Sequence, residues 1–167
     1  IIEKFENLTE CQQEFVDRYF EQSVYPVLTP MAVDASRPFP LIRNKTLNIA
    51  ALLSGKHGKD TKEAVEFATV QVPSVLPRLV QIPSEESEGE NARSFILLEQ
   101  IIEKNIAKLF LNYKVLCAYP YRIMRNADLT IDEDEAADLL KEIQKQLKRR
   151  QWGEVIRLEV EASVDKK

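Results

Sequence analysis

YRIMRNADLTIDEDEAADLLKEIQKQL, residues 121–147, changes its hydrophobic period partway along. Tyr121 and Ile123 alternate with Arg122 and Met124, the two-residue period of a strand. Arg125-Asn126-Ala127-Asp128 is polar and turn-like. Ala136, Leu139, Leu140, Ile143 and Leu147 then recur at the spacing of one helix face. Thr130 or Asp132 can cap that helix, and Thr130 with Glu133 fits a capping box. Asp132, Glu133, Asp134 and Glu135 stand at the positive end of its macrodipole, and Lys145, Lys148, Arg149 and Arg150 at the negative end. The stretch therefore predicts a strand, a tight turn and a helix from about Glu133 to Arg150.

The same alternation extends upstream, so Tyr113–Met124 reads as one strand, broken or edged at Pro120. Before it, Ile101, Ile102, Ile106, Leu109 and Phe110 mark an amphipathic helix with Asn112 as a left-handed stop. Ser94–Leu98 leads into that helix. Ser84–Ala92, rich in glutamate and without apolar period, reads as a solvated loop. Leu47–Leu53 and Val65–Val72 form a predicted hairpin around the polar turn Ser54–Asp60, and Arg78–Ile82 is a short third strand. Thr9 and Gln12 open an N-terminal helix with Leu8, Phe15, Val16, Tyr19 and Phe20 on one face. Pro26 forbids its continuation, and the four prolines of Pro26–Pro40 predict a stiff extended connector packed on the body. Downstream, Gly153 stops the last helix, and Val155–Ala162 alternates as a half-buried strand. The sum is a single mixed α/β (α+β) domain. One mixed sheet of about five or six strands carries two covering helices and an N-terminal helix.

The 167 residues suffice for one core. No apolar run approaches the ~20 residues of a membrane span, and no secretory signal opens the chain. Cys11 and Cys117 lack metal-type spacing and read as buried free thiols of a reducing cytoplasm. A net charge of −4 argues against the isolated chain being a strong nucleic-acid or polyphosphate binder, and leaves room for a local basic wall in a larger channel. The absence of an initial methionine and the abrupt end after Val164 read as a piece cut from a longer protein.

Few residues offer chemistry. His57, the sole histidine, lies in Gly55-Lys56-His57-Gly58-Lys59, which lacks the spacing of a phosphate-binding loop. A hairpin turn accounts for it better. Asp132–Glu135 and Asp138 point in different directions around a helix start, so dipole stabilisation explains them and no metal site is expected. Trp152 reads as a packing anchor. Arginine grips phosphate oxygens in pairs, which makes Arg122 and Arg125 binding candidates, with Asn126, Arg37 and Arg43 beside them. The plainer alternative pairs Arg125 with Asp128 and leaves Asn126 satisfying turn backbone groups.

R-N-A-D-L-T-I-D-E-D-E-A-A-D-L-L at 125–140 resembles the middle (head) domain of the polyphosphate kinase family. Tyr19-Phe20, Tyr25-Pro26-Val27-Leu28-Thr29-Pro30-Met31-Ala32-Val33-Asp34 and Pro38-Phe39-Pro40 resemble a second segment of the same family, in the right order. The resemblance implies a linking helix over residues 1–25 and a head domain over 26–164. Residues 165–167 would then begin the connection to catalytic domains, and the fold would be related to phosphohistidine phosphatases. It implies a parent that reversibly transfers the ATP γ-phosphate to polyphosphate through a phosphohistidine on another domain, with magnesium. That parent would be a cytoplasmic homo-oligomer, with association to a membrane left open. No catalytic residue and no cofactor carries over to this chain. Arg122, Arg125, Asn126, Arg37 and Arg43 become candidates for lining the polyphosphate path, and the isolated chain is expected to be inactive. Two other readings stand beside this one. The first is a phosphohistidine phosphatase-like hydrolase using His57, and the second is a non-catalytic protein-interaction module.

Overall fold

In a computed structural model of the chain, the described residues are 1–33, 39–55, 65–83, 93–126, 153–162 and 164. They gather into two compact units, one of residues 1–40 and 47–120, the other of 41–46 and 121–167.

In the first unit, helix α1 spans Glu10–Tyr19. The Thr9 N–H donates to Gln12 Oε1 at 3.2 Å, so the Gln12 half of the predicted capping box is closed. The Thr9 side chain faces the Gln12 backbone N–H, which makes the other half of the box. The chain then widens into a π turn, Phe20–Val24, and tightens into a 3-10 turn, Tyr25–Val27. Pro26 has no N–H to extend the ladder. Val16, Phe20 and Val24, four residues apart, are fully buried.

Pro26–Pro40 is not merely a connector. Pro30–Val33 forms strand β2, paired antiparallel with β4, Pro30 lying opposite Val70. A proline at the first residue of an edge strand withholds a donor that faces no neighbour, which is why the strand tolerates it. The predicted hairpin is present as β3, Leu47–Gly55, and β4, Val65–Gln71, with Ala51 opposite Ala68 and Leu52 opposite Phe67.

The strand predicted near Arg78–Ile82 is β5, Leu79–Ile82, but it belongs to a separate sheet. There β6, Ser94–Leu97, lies between β5 and the short β1, Ile2–Glu3, with β1 parallel and β5 antiparallel to it. Eight strands are found among the described residues, in sheets of three and five, where a single sheet of five or six was expected. The difference arises because β5 and β6 pair with each other and not with the hairpin.

Helix α2, Leu98–Lys104, follows β6 without a loop and buries Leu98, Glu99, Ile101 and Ile102. It stops far short of the predicted Asn112. Asn105 ends it at φ −97° and ψ 9°. The Asn105 amide donates to the Ile101 carbonyl at 3.2 Å and to Asp17 Oδ1 at 3.3 Å, tying the helix end to α1. A side chain that satisfies a terminal carbonyl competes with continued helix. A 3-10 turn, Ile106–Leu109, follows. Asn112 is not left-handed, since Lys45 is the one described non-glycine residue with positive φ.

The core of this unit unites Val16 and Phe20 with Ile49, Leu53, Ala68 and Val70 of the hairpin. Ile96, Ile101 and Ile102 complete it, all fully buried. Leu28 and Ala32 pack against its margin, as expected for an apolar stretch seated on the body. Among the described residues one charged side chain enters the interior. Glu99 retains 7% side-chain exposure and is held by the Arg78 guanidinium. Nε donates to Oε1 and Oε2 at 3.0 and 3.2 Å, and Nη2 to Oε1 at 2.5 Å. The carboxylate raises the Arg78 pKa above its ordinary value, chiefly by this hydrogen bond. Cys11 and Cys117 are free thiols, but Cys11 is exposed on α1 and Cys117 half-buried, so the expected burial does not hold.

Strand β7, Tyr113–Arg125, runs without interruption through Pro120, so of the break or edge expected there the break does not occur. Its last five residues belong to the second unit. There they pair antiparallel with β8, Val155–Val160, with Tyr121 opposite Val160 and Ile123 opposite Leu158. The predicted alternation is kept but the half-burial is not. Ile156, Leu158 and Val160 are 64%, 61% and 52% exposed. The predicted helix 133–150, the loop 84–92, His57 and Trp152 lie outside the described residues.

Candidate functional site

The arginine and asparagine candidates converge on the end of β7. The β7–β8 register shifts between Met124 and Arg125. Such an irregularity turns a side chain out of the regular alternation. The Arg125 guanidinium donates from Nε to the Ile42 carbonyl at 3.0 Å and from Nη1 to the Gly153 carbonyl at 2.8 Å. The Arg125 main-chain N–H donates to Asn44 Oδ1 at 2.9 Å. The Lys45 N–H donates to the Ile123 carbonyl at 2.9 Å, and the Asn126 N–H to the Glu154 carbonyl at 2.8 Å. Three segments distant in sequence, 42–46, 123–126 and 153–154, are thus tied at one point. A planar fork that reaches two carbonyls at once suits this task, and a lysine could not replace it.

The segment 43–46 is itself a built turn. The Thr46 hydroxyl donates to the Arg43 carbonyl at 3.0 Å, and the Thr46 N–H reaches the same oxygen at 3.4 Å. Lys45 takes φ 61° at the third position of the turn, where a positive φ normally selects Gly or Asn. The side chains of Arg43 and Lys45 are exposed, and neither makes an ion pair among the described residues.

Arg122, three residues before Arg125 on β7, lies opposite Glu159 of β8. Its Nε donates to Glu159 Oε2 at 2.7 Å, and Nη2 lies 2.6 Å from the same atom. Arg157 Nε approaches Glu159 Oε1 at 3.3 Å. Two cations share one carboxylate. The Arg122 hydrogen bond, ahead of the other charges, holds the Glu159 carboxyl below its ordinary pKa. Arg122 and Arg157 stay 50% and 67% exposed in their side chains, so the strand face keeps outward positive charge.

The structure therefore brings Arg43, Arg125 and Asn126 to one junction and places Arg122 on the same strand, three residues before Arg125. Arg37 lies outside the described residues, as does Asp128, the alternative partner of Arg125. Sequence reasoning missed Asn44, Lys45, Arg157 and Glu159. The Asn-Lys turn dipeptide was a signal for the first two. Nothing local signalled that Glu159 faces Arg122. Among the described residues no group of three or more His, Cys, Asp or Glu is placed to hold a metal ion, and no helix is long and apolar enough to cross a membrane. The chemistry available at the junction is cation presentation on a tightly tied backbone.

Fold and junction together define a class: a mixed α+β domain whose stapled strand end leaves arginine side chains exposed beside it. The family model for the polyphosphate kinase middle domain matches residues 11–167, and the chain belongs to that family. A polyphosphate kinase of Bacillus anthracis is 49% identical over 156 residues, 93% of this chain and 22% of that one. One from Lactiplantibacillus plantarum is 51% identical over 160 residues, 96% of this chain and 21% of that one. The crystal structure of a polyphosphate kinase from Porphyromonas gingivalis shares the fold at TM-score 0.65. It has 24% identity and covers 90% of this chain and 24% of its own. The chain spans about a fifth of the length of the curated relatives it matches.

Proposed function

We propose that this chain is the scaffold domain of a longer polyphosphate kinase that transfers the ATP γ-phosphate reversibly to polyphosphate. The phosphorylated histidine, the magnesium and the ATP contacts belong to other domains of that parent, which works as a cytoplasmic homo-oligomer. Residues 1–25 link to the preceding domain and 165–167 lead to the next, while 26–164 form a head domain of phosphohistidine-phosphatase-like fold. Family membership supports the reaction class. One observation carries the scaffold role: Arg125 spends its guanidinium on the carbonyls of Ile42 and Gly153. It acts on the polyphosphate path by holding the turn, as a positioning residue. Arg43 and Arg122, with Asn126 and Arg37, supply the outward contacts of that path, where each exposed guanidinium can take phosphate oxygens in pairs.

Two assays test this. Purified residues 1–167 should turn over neither ATP nor polyphosphate, and measurable turnover would overturn the scaffold role. In the full-length parent, joint Arg43→Glu and Arg122→Glu should raise the KM for polyphosphate with the KM for ATP unchanged. Unchanged polyphosphate KM would remove the path assignment and leave these residues a purely structural part.

A further inference from the structure

The hairpin sheet of the first unit has one face in the core and one turned away from it. Ile49, Ala51, Leu53, Ala68 and Val70 occupy the core face and are buried. Directly opposed residues share a face. Val33 and Leu52 both lie opposite Phe67, from β2 and β3 on either side of β4. These three therefore form a continuous apolar row on the outer face. Val65, two residues before Phe67, continues it, and Phe39 stacks on Phe67 with ring centroids 5.4 Å apart. Phe39, Val65 and Leu52 are 60%, 57% and 39% exposed. An antiparallel sheet with a solvated face ordinarily alternates polar residues there. Here the row contains no charge, and the one hydrogen-bonding side chain beside it, Ser54 opposite Val65, is buried. Towards the other end of the same face Asn48 and Thr69 are buried, so the opening is local to the Leu52–Phe67 end.

We infer that this row is the docking surface for another domain of the same, longer polypeptide. The inference rests on the scaffold reading above and names the face that serves it. The chain spans about a fifth of its relatives and matches a middle domain, so in those relatives most of the polypeptide lies outside this region. Size also decides between occupants. A stable dimer needs about 20–30 residues a side, and five apolar side chains fall far short. A tethered domain meets the patch at an effective concentration of about millimolar order, at which so small a surface is filled. The occupant must present an uncharged, apolar counter-surface, because a charge set against this row would be stripped of water with no partner.

Hydroxyl-radical footprinting of the full-length parent reads the row directly. Corrected for intrinsic reactivity, Phe39 and Leu52 should be oxidised about tenfold less than their exposure here dictates, the protection of a face open a tenth of the time. Leu52→Lys in the parent should return Phe39 to the oxidation rate its exposure dictates. Oxidation of wild-type Phe39 and Leu52 at the rates set by their exposure would overturn the inference. So would protection that vanishes on dilution to nanomolar protein, which would make a second copy the occupant. The footprint does not depend on turnover. A parent that fails to transfer phosphate yet protects the row loses the kinase reading and keeps the docking surface, and an active parent with an open row does the reverse.

Discussion

Replacing Arg78 with Ala isolates a charge inside the first unit. Glu99 has 7% of its side chain exposed, and Arg78 is its partner in three hydrogen bonds. Breaking a fully buried pair by removing one partner costs about 3–5 kcal/mol, most of it the stranded charge. The Arg78 side chain is itself 64% exposed, so water enters the space it leaves and resolvates part of the carboxylate. Discounted for that screening, the loss is about 2 kcal/mol. At roughly 2–4 °C per kcal/mol for a chain of this size, the midpoint of thermal unfolding should fall by about 4–8 °C. Calorimetry of wild type, Arg78→Ala, and the double variant Arg78→Met with Glu99→Leu checks both the magnitude and its origin. The double variant buries no charge and should recover most of the loss. An unchanged midpoint in Arg78→Ala would mean that Glu99 is solvated without its partner. A double variant as weak as the single would trace the loss to packing of the arginine stem. Either result refutes the reasoning.

Two further outcomes follow from the β7–β8 junction. The Glu159 carboxyl is held below its ordinary pKa, first by the Arg122 hydrogen bond. The stability it lends is therefore complete above its unfolded pKa of about 4.3 and is lost as pH falls through the folded value. The midpoint difference between wild type and Arg122→Ala, followed from pH 7 downward, should hold until about pH 4.3 and then close. A difference that stays constant through this window would deny the coupling. Lys45→Gly places the one residue free of Cβ crowding at φ 61°. It should stabilise the chain by about 0.5–1 kcal/mol in urea unfolding, after the extra chain entropy of glycine is subtracted. A destabilised Lys45→Gly would show that the lysine side chain secures the turn.

Much of this architecture was legible in the residue order. The Thr9/Gln12 pattern placed α1, an apolar run placed β3, period-two runs placed β4, β7 and β8, and two long motifs, 19–40 and 125–140, placed the family. What misled was local chemistry with a distant answer. The prolines of Pro26–Pro40 argue against a strand unless Pro30 lies at an edge, and only the pairing with Val70 makes it one. Asn112 looked like the stop of α2, but Asn105 ends it because Asp17 of another helix receives its amide. Arg125 invited a partner three residues on. It found carbonyls 83 and 28 residues away.

By itself the sequence determined the local elements, the family and the types of side chain available to an anion, because periodicity, caps and motif wording are carried by neighbours along the chain. Tertiary structure alone decided how the strands divide into two sheets, which arginine is consumed as a staple and which faces outward, and that an apolar row lies uncovered on β2, β4 and β3. Those outcomes depend on which distant groups meet, and strand pairing, carbonyl direction and burial are settled by packing rather than by adjacency.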